Sequence, residues 1–214
     1  TLRHGAGIER TFVWHGDSRI ILAICKLMED TNNAYNDVKN GDVQVILLVE
    51  DSRRFYSGYL PILYRMLVEQ TSRLMFKGAN LQEKILRLRA RAKVLLASDY
   101  EEAMLHIERY EDNIIGVITD GRFPNAGGEV DNAGLELVKE VRTRHPHMPI
   151  LFQSKNLELK QAAEELETTF LHKEDPALHR GIENFMKHEM SFGDFIFRDE
   201  DGEEIARAGD LSEL

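Results

Sequence analysis

Apolar and polar positions follow two rhythms along the chain. Five short runs are apolar nearly throughout: "VQVILLV" (Val43–Val49), "KVLLAS" (Lys93–Ser98), "NIIGVIT" (Asn113–Thr119), "PILFQS" (Pro149–Ser154) and "TTFLH" (Thr168–His172). Runs of this length and content read as strands buried on both faces. Each is followed by a stretch with one apolar stripe: a long helix from about Arg53, then "EEAMLHIERY", "AGLELVKEVRTRH", "LELKQAAEEL" and "ALHRGIENFMKH". Five strand–helix units in this order predict an α/β fold, a doubly wound, mostly parallel five-stranded sheet with helices on both faces.

Some segments depart from that rhythm. The first helix carries Phe55, Tyr59, Ile62, Leu63, Met66 and Leu67 on its apolar face, and Pro61 within it predicts a kink or a fresh turn. A further helical stretch, "LQEKILRLRARA", precedes the second strand and makes the first crossover long. Upstream, Thr11–Asp30 reads as a strand "TFVW", a loop "HGDS" and a helix "RIILAICKLMED". Downstream, "DFIFRDEDGEEIARA" reads as two short strands around Asp201-Gly202, a hairpin signal. The expected division is therefore an N-terminal strand–helix extension over 1–42, of the kind that ends a preceding domain; a sheet domain over 43–190; and a C-terminal hairpin over 191–214 leading to a further domain. Both ends read as parts of a longer chain.

Charge narrows the partners. The formal net charge is -10 and the acids are spread over many segments. Phosphate-backbone recognition needs clustered Lys and Arg, so no nucleic acid is expected. No apolar run approaches the roughly 20 residues of a spanning helix, so no membrane is expected either. The single cysteine, Cys25, sits in "IILAICKLM", reads as a core thiol and fits a reducing, cytoplasmic setting.

The chemistry is gathered at the strand ends. Glu50 and Asp51 follow the first strand, Asp120 ends the third, Ser154 the fourth and Lys173 the fifth. Parallel sheets collect function beyond their carboxyl ends, beside the point where strand order reverses. With the order 2-1-3-4-5 the first and third strands are neighbours and three carboxylates share one pocket. Two carboxylates about 4 Å apart repel by roughly 4 kcal/mol at an effective dielectric of about 20. Either one acid takes a proton or a cation sits among them. Lys173 supplies one charge, and Mg2+, held by carboxylates and water with positions left for phosphate oxygens, supplies the rest. A carboxylate in such a site can attack phosphorus, and the Ser154 hydroxyl and Lys173 ammonium are suited to the phosphoryl oxygens.

The set "LLVEDS", "VITDGRFP", "ILFQS" and "FLHK", on successive strands, resembles the receiver domain of bacterial response regulators over about Val43 to Met190. The resemblance implies a flavodoxin-like fold and a two-component signalling role without enzymatic turnover of a separate substrate. It implies Asp120 as phosphoacceptor, Glu50, Asp51 and Asp120 as Mg2+ ligands with the backbone carbonyl of Arg122, Ser154 as the switch residue, Lys173 as the phosphoryl partner and Phe170 as the aromatic that follows the switch. The partners it implies are a sensor histidine kinase or phosphotransfer protein, further domains of a longer chain, and a homodimer. Three departures stand out: the long first crossover, the segment "NAGGEVDNA" after Pro124, placed to act as a lid or to alter phosphoryl lifetime, and Glu174 where a proline commonly follows the lysine. The flanks resemble, more weakly, segments of large bacterial proteins that join receiver-like domains to a phosphoenolpyruvate synthase-like portion.

Plainer readings compete. Asp51 or Ser52 caps the next helix, Asp120 is a turn residue, and Lys173 is a solvated lysine. Asp99 with Glu102 is a capping box. His145 and His147 belong to a helix-terminating turn, and "RLRARAK" is a solvated basic face. A receiver-shaped scaffold that no longer takes phosphate is the alternative function. A phosphohydrolase would want an acid two residues after the nucleophile, and Arg122 stands there.

Overall fold

The computed structural model describes residues 10–76, 91–190, 192, 195–199 and 204–208. Its core is a parallel sheet of β1 (Val45–Val49), β2 (Lys93–Ala97), β3 (Ile114–Asp120), β6 (Ile150–Ser154) and β7 (Thr169–His172), in the order β2-β1-β3-β6-β7. Among these five strands that is 2-1-3-4-5, as expected, so the fold is the flavodoxin-like doubly wound one. The helices are α1 (Arg19–Gly41), α2 (Arg53–Phe76), α3 (Tyr100–Arg109), α4 (Ala133–Arg144), α5 (Leu159–Glu165) and α6 (Leu178–His188). Two hairpins are added, β4 (Phe123–Asn125) with β5 (Gly128–Val130), and β8 (Phe195–Arg198) with β9 (Glu204–Ala208).

Every residue of β1 is buried, and alternation decides which layer each serves. Ile46 and Leu48 join Val94, Leu96, Ile118 and Leu151 in a core with α2 and α6. Val45, Leu47 and Val49 face the opposite way, into a core with α3 and α4. This two-sided burial is why the strands read as unbroken apolar runs.

The N-terminal helix runs eleven residues past the expected Asp30, closing where Asp42 turns left-handed (φ 51°) and its amide donates to the Val38 carbonyl. Its Ala23 and Leu27 join the first core, while Ala34 joins the second. Between them Asp30, fully buried, meets β2 at the sheet's edge. Its carboxylate accepts from the Val94 amide (2.9 Å), the Tyr64 hydroxyl (2.8 Å) and Arg91 Nη2 (2.5 Å), with Lys93 Nζ at 3.5 Å. Lys93 N donates to Gln44, towards β1 (2.8 Å), so the Val94 amide points to the free edge, and Asp30 satisfies it.

Several local expectations are corrected. "TFVW" joins no sheet, because α2 takes its polar groups: the Tyr56 hydroxyl donates to the Thr11 carbonyl and the Val13 amide donates to Ser57 Oγ (3.0 Å). No fresh turn starts at Pro61, which lies inside the continuous helix α2. Cys25 is exposed, not core: "IILAICKLM" is apolar at every position but Lys26, so its pattern does not single out one face, and α1 buries that of Ile20, Ala23 and Leu27. The segment after Pro124 is the β4–β5 hairpin, leaning on α3 through the Ala126 amide and Glu101 Oε1 (2.8 Å). Most of the expected stretch "LQEKILRLRARA" and the Asp201-Gly202 turn lie outside the described residues. Among the described residues no helix is long and apolar enough to cross a membrane.

Candidate functional site

Backbone pairing carries β1, β3, β6 and β7 to one rim and fixes the residue that leaves each strand there. The Glu50 amide donates to the Ala97 carbonyl (2.9 Å), extending the β1–β2 ladder by one residue. The Lys173 amide donates to the Ser154 carbonyl (3.0 Å), extending β7 along β6. Asp120 pairs with Gln153 across β3 and β6. The N-terminus of α4 presses on Asp120: a Cβ on Gly134 would stand 2.1 Å from the Asp120 carbonyl oxygen. Only glycine permits that approach.

These constraints bring Glu50, Asp51, Asp120 and Lys173 together. One oxygen from each of the three carboxylates lies within 4.8 Å of the other two. Glu50 is 1% exposed, Asp120 8% and Lys173 6%. Lys173 Nζ lies 2.6 Å from Glu50 Oε2 and 2.5 Å from Asp120 Oδ2. The same ammonium sits 4.4 Å from the Phe55 ring centroid, with Lys155 Nζ 5.5 Å from that ring. Glu50 Oε1 accepts from the Ser52 amide (3.1 Å). Burial pushes the Glu50 carboxyl up to about 8; Lys173 opposes this and the Asp120 charge adds to it.

The remaining expected residues sit around this cluster. Ser154 is buried at the same rim, its Oγ accepting the Asn156 amide (3.0 Å) and lying 3.1 Å from where a Cβ on Gly121 would stand. Phe170 is partly buried and stacks on Phe152, centroids 6.1 Å apart. The Arg122 side chain is exposed and pairs with Asp131 (3.3 Å). Asp99 caps α3 through the Glu102 amide (2.7 Å), but Glu102 returns to the Ser98 amide (2.8 Å), one residue beyond the expected box.

Two aromatics at the site read only as core in the sequence. Phe55 lies in the first turn of α2, just after the acid pair, and the Lys173 ammonium over its ring is what sets it beside the rim. Tyr59 is 1% exposed and its hydroxyl has no hydrogen-bond partner; burial, with the Glu50 and Asp120 charges, pushes it far above its ordinary value. Both line a cavity of about 720 Å³ with Val13, Arg54, Lys173 and His179.

Chemically, two buried carboxylates, Glu50 and Asp120, share the Lys173 ammonium, and the more exposed carboxylate of Asp51 stands beside them, so negative charge gathers at the rim once all are ionised. All-oxygen donors gathered within 4.8 Å of one another are of the kind that suits a hard divalent cation. The residues therefore fit a divalent ion, with Lys173 bound to two of the same carboxylates.

The chain matches no family model and no curated protein. Among solved structures it is similar to a response regulator receiver domain protein from Clostridium thermocellum, at 20% identity, covering 68% of this chain and 95% of that one, with a TM-score of 0.42. It is similar to the phosphorylated cyanobacterial phytochrome response regulator RcpA, at 15% identity, 70% and 95% coverage and a TM-score of 0.44. A CheY-like receiver domain protein from Methanospirillum hungatei matches at 18% identity, 70% and 94% coverage and a TM-score of 0.42.

Proposed function

We propose that the chain is a phosphoacceptor receiver module of a two-component-type pathway, working in the cytoplasm. Residues 43–190 form the receiver unit, with 1–42 and 191–214 as flanks joining it to further domains. The observation that carries this reading is the contact of one ammonium, Lys173, with both Glu50 and Asp120 at the rim where β1, β3, β6 and β7 end. A buried cation at the junction of two acids is placed to receive an anion that grows on one of them.

In this reading an Asp120 carboxylate oxygen attacks phosphorus, forming a new P–O bond as the bond to the donor breaks and the leaving group departs with its electron pair. Glu50, Asp51, Asp120 and the Arg122 carbonyl would hold Mg2+, which supplies charge neutralisation when bound. Lys173 leaves Glu50 and holds a phosphoryl oxygen. Ser154 Oγ gives up the Asn156 amide to bind a second, and Phe170 follows it against Phe152. The donor is a sensor histidine kinase or phosphotransfer protein, and the output is a changed affinity for a domain or partner.

The test is incubation with Mg2+ and acetyl phosphate, read by intact mass, with a beryllofluoride titration read by spectroscopy. One phosphoryl group is expected on the wild type and none on Asp120→Asn. Unchanged mass and spectra at saturation would leave the phosphate-independent scaffold as the better account.

A further inference from the structure

α1 has a second apolar face. Ile21 is 60% exposed, Met28 58% and Tyr35 58%. They recur every seven residues, and exposed Cys25 and Asn32 fall four after Ile21 and Met28. The resulting 4-3-4-3 spacing is that of a two-helix seam. It lies opposite the face that carries Ile20, Ala23, Leu27 and Ala34 into the cores. Helix α1 spans 23 residues, about 34 Å, so the seam runs along most of an element that the rest of the fold holds in place through Asp30.

We infer that this face pairs with its counterpart on a second copy of the chain, antiparallel, about a two-fold axis beside Met28. Two observations choose that occupant and that direction. From Ile21 to Tyr35 the stripe carries no charge, in a chain of net charge -10, so copies meet there without like-charge contact. Its ends are opposite in sign: Asp17 precedes the helix and exposed Lys39 closes it. Centring on Met28 sets Ile21 against Tyr35 of the other copy and Asp17 against its Lys39. Parallel pairing would instead set acid on acid and lysine on lysine. Asp17 keeps its own Arg19 pair (2.8 Å) with its side chain 36% exposed. Such a contact is self-complementary, as two-fold symmetry requires. It uses no residue of the acidic rim and is independent of whether Asp120 takes phosphate.

The test is sedimentation equilibrium of the 214-residue chain, expected at twice 24.6 kDa and dissociating on dilution. Met28→Glu should weaken the dimer by about tenfold or more, with an unchanged melting curve showing that the fold is intact. Asp17→Lys and Lys39→Asp should each weaken it, and the double exchange should restore it, because the pair is then reversed across the seam. In a Cys25→Ser background, Met28→Cys should crosslink to itself under mild oxidation. A monomer at every concentration overturns the proposal, as does a dimer indifferent to Met28→Glu. Wild-type crosslinking through Cys25, without rescue by the charge exchange, overturns the antiparallel direction.

Discussion

Lys173 Nζ stands 2.5 Å from Asp120 Oδ2. The same nitrogen reaches Glu50, so one buried cation bridges two buried acids. Removing it strands both. Lys173→Met is expected to lower stability by about 3 kcal/mol without divalent metal, seen as a lower urea midpoint. Mg2+ should then raise that midpoint more in the variant than in the wild type, because the ion no longer competes with the ammonium. Equal Mg2+ responses would refute this competition.

Glu50 gives the site a pH dependence. Its carboxyl is raised from 4.5 to about 8, chiefly by burial. A raised carboxyl binds its proton more tightly when folded. Its contribution to stability is therefore full below about pH 4.5 and lost as pH rises towards about 8. Divalent ions need the ionised form, so Mg2+ affinity should climb over the same window. Calorimetric Mg2+ titrations across it are the measurement, and Glu50→Gln should flatten the climb.

Asp30 accepts four hydrogen bonds from three residues, Tyr64, Arg91 and Val94, lies 3.5 Å from a further ammonium, and is fully buried. Asp30→Ala leaves Arg91 without its carboxylate, costs Lys93 one of its neighbours and leaves the Val94 amide unsatisfied. Loss of one partner from a buried ion pair costs about 3–5 kcal/mol. A chemical denaturation series should show a drop of that order, while an exposed pair such as Lys160–Glu164 should change little when broken.

His106 lies on α3, stacked on Tyr110, with Nδ1 buried and without a hydrogen-bond partner. Burial lowers its pKa below the ordinary 6.5; Glu102 opposes this. The folded chain thus holds the neutral ring. Its contribution to stability is present above about pH 6.5 and is lost as pH falls from there through the lower folded value. Melting temperatures of wild type and His106→Phe, compared across mildly acidic pH, should differ in slope, with the wild type losing more.

The sheet and its rim were legible because each rests on local pattern. Val45–Val49 is apolar at every position, which two-sided burial demands, and the polar residues that end successive strands fall on one edge by topology alone. Asp30 was not legible: in "KLMED" it is one more helical acid, and its partners Tyr64, Arg91 and Lys93 are brought to it only by tertiary packing. Nor was the continuation of α1 through Thr31, Asn32 and Asn33, residues of modest helix propensity carried by the burial of Ala34 beyond them. Strands β4 and β5 have three residues each, too few to display a period. Phe55 failed differently: an aromatic on an apolar stripe reads as filler, and only the position of Lys173 turns its ring into a wall of the site.

Asp30 also bears on where the chain can be cut. Its carboxylate takes the backbone proton that another molecule's strand would otherwise claim, and hems the sheet at β2. A fragment beginning at Val43 keeps every residue of the acidic rim. It loses the hem, bares an unfinished border and leaves Arg91 without its counterion. Such a fragment is expected to grow by adding strands from its neighbours and to precipitate where the 214-residue chain stays dissolved.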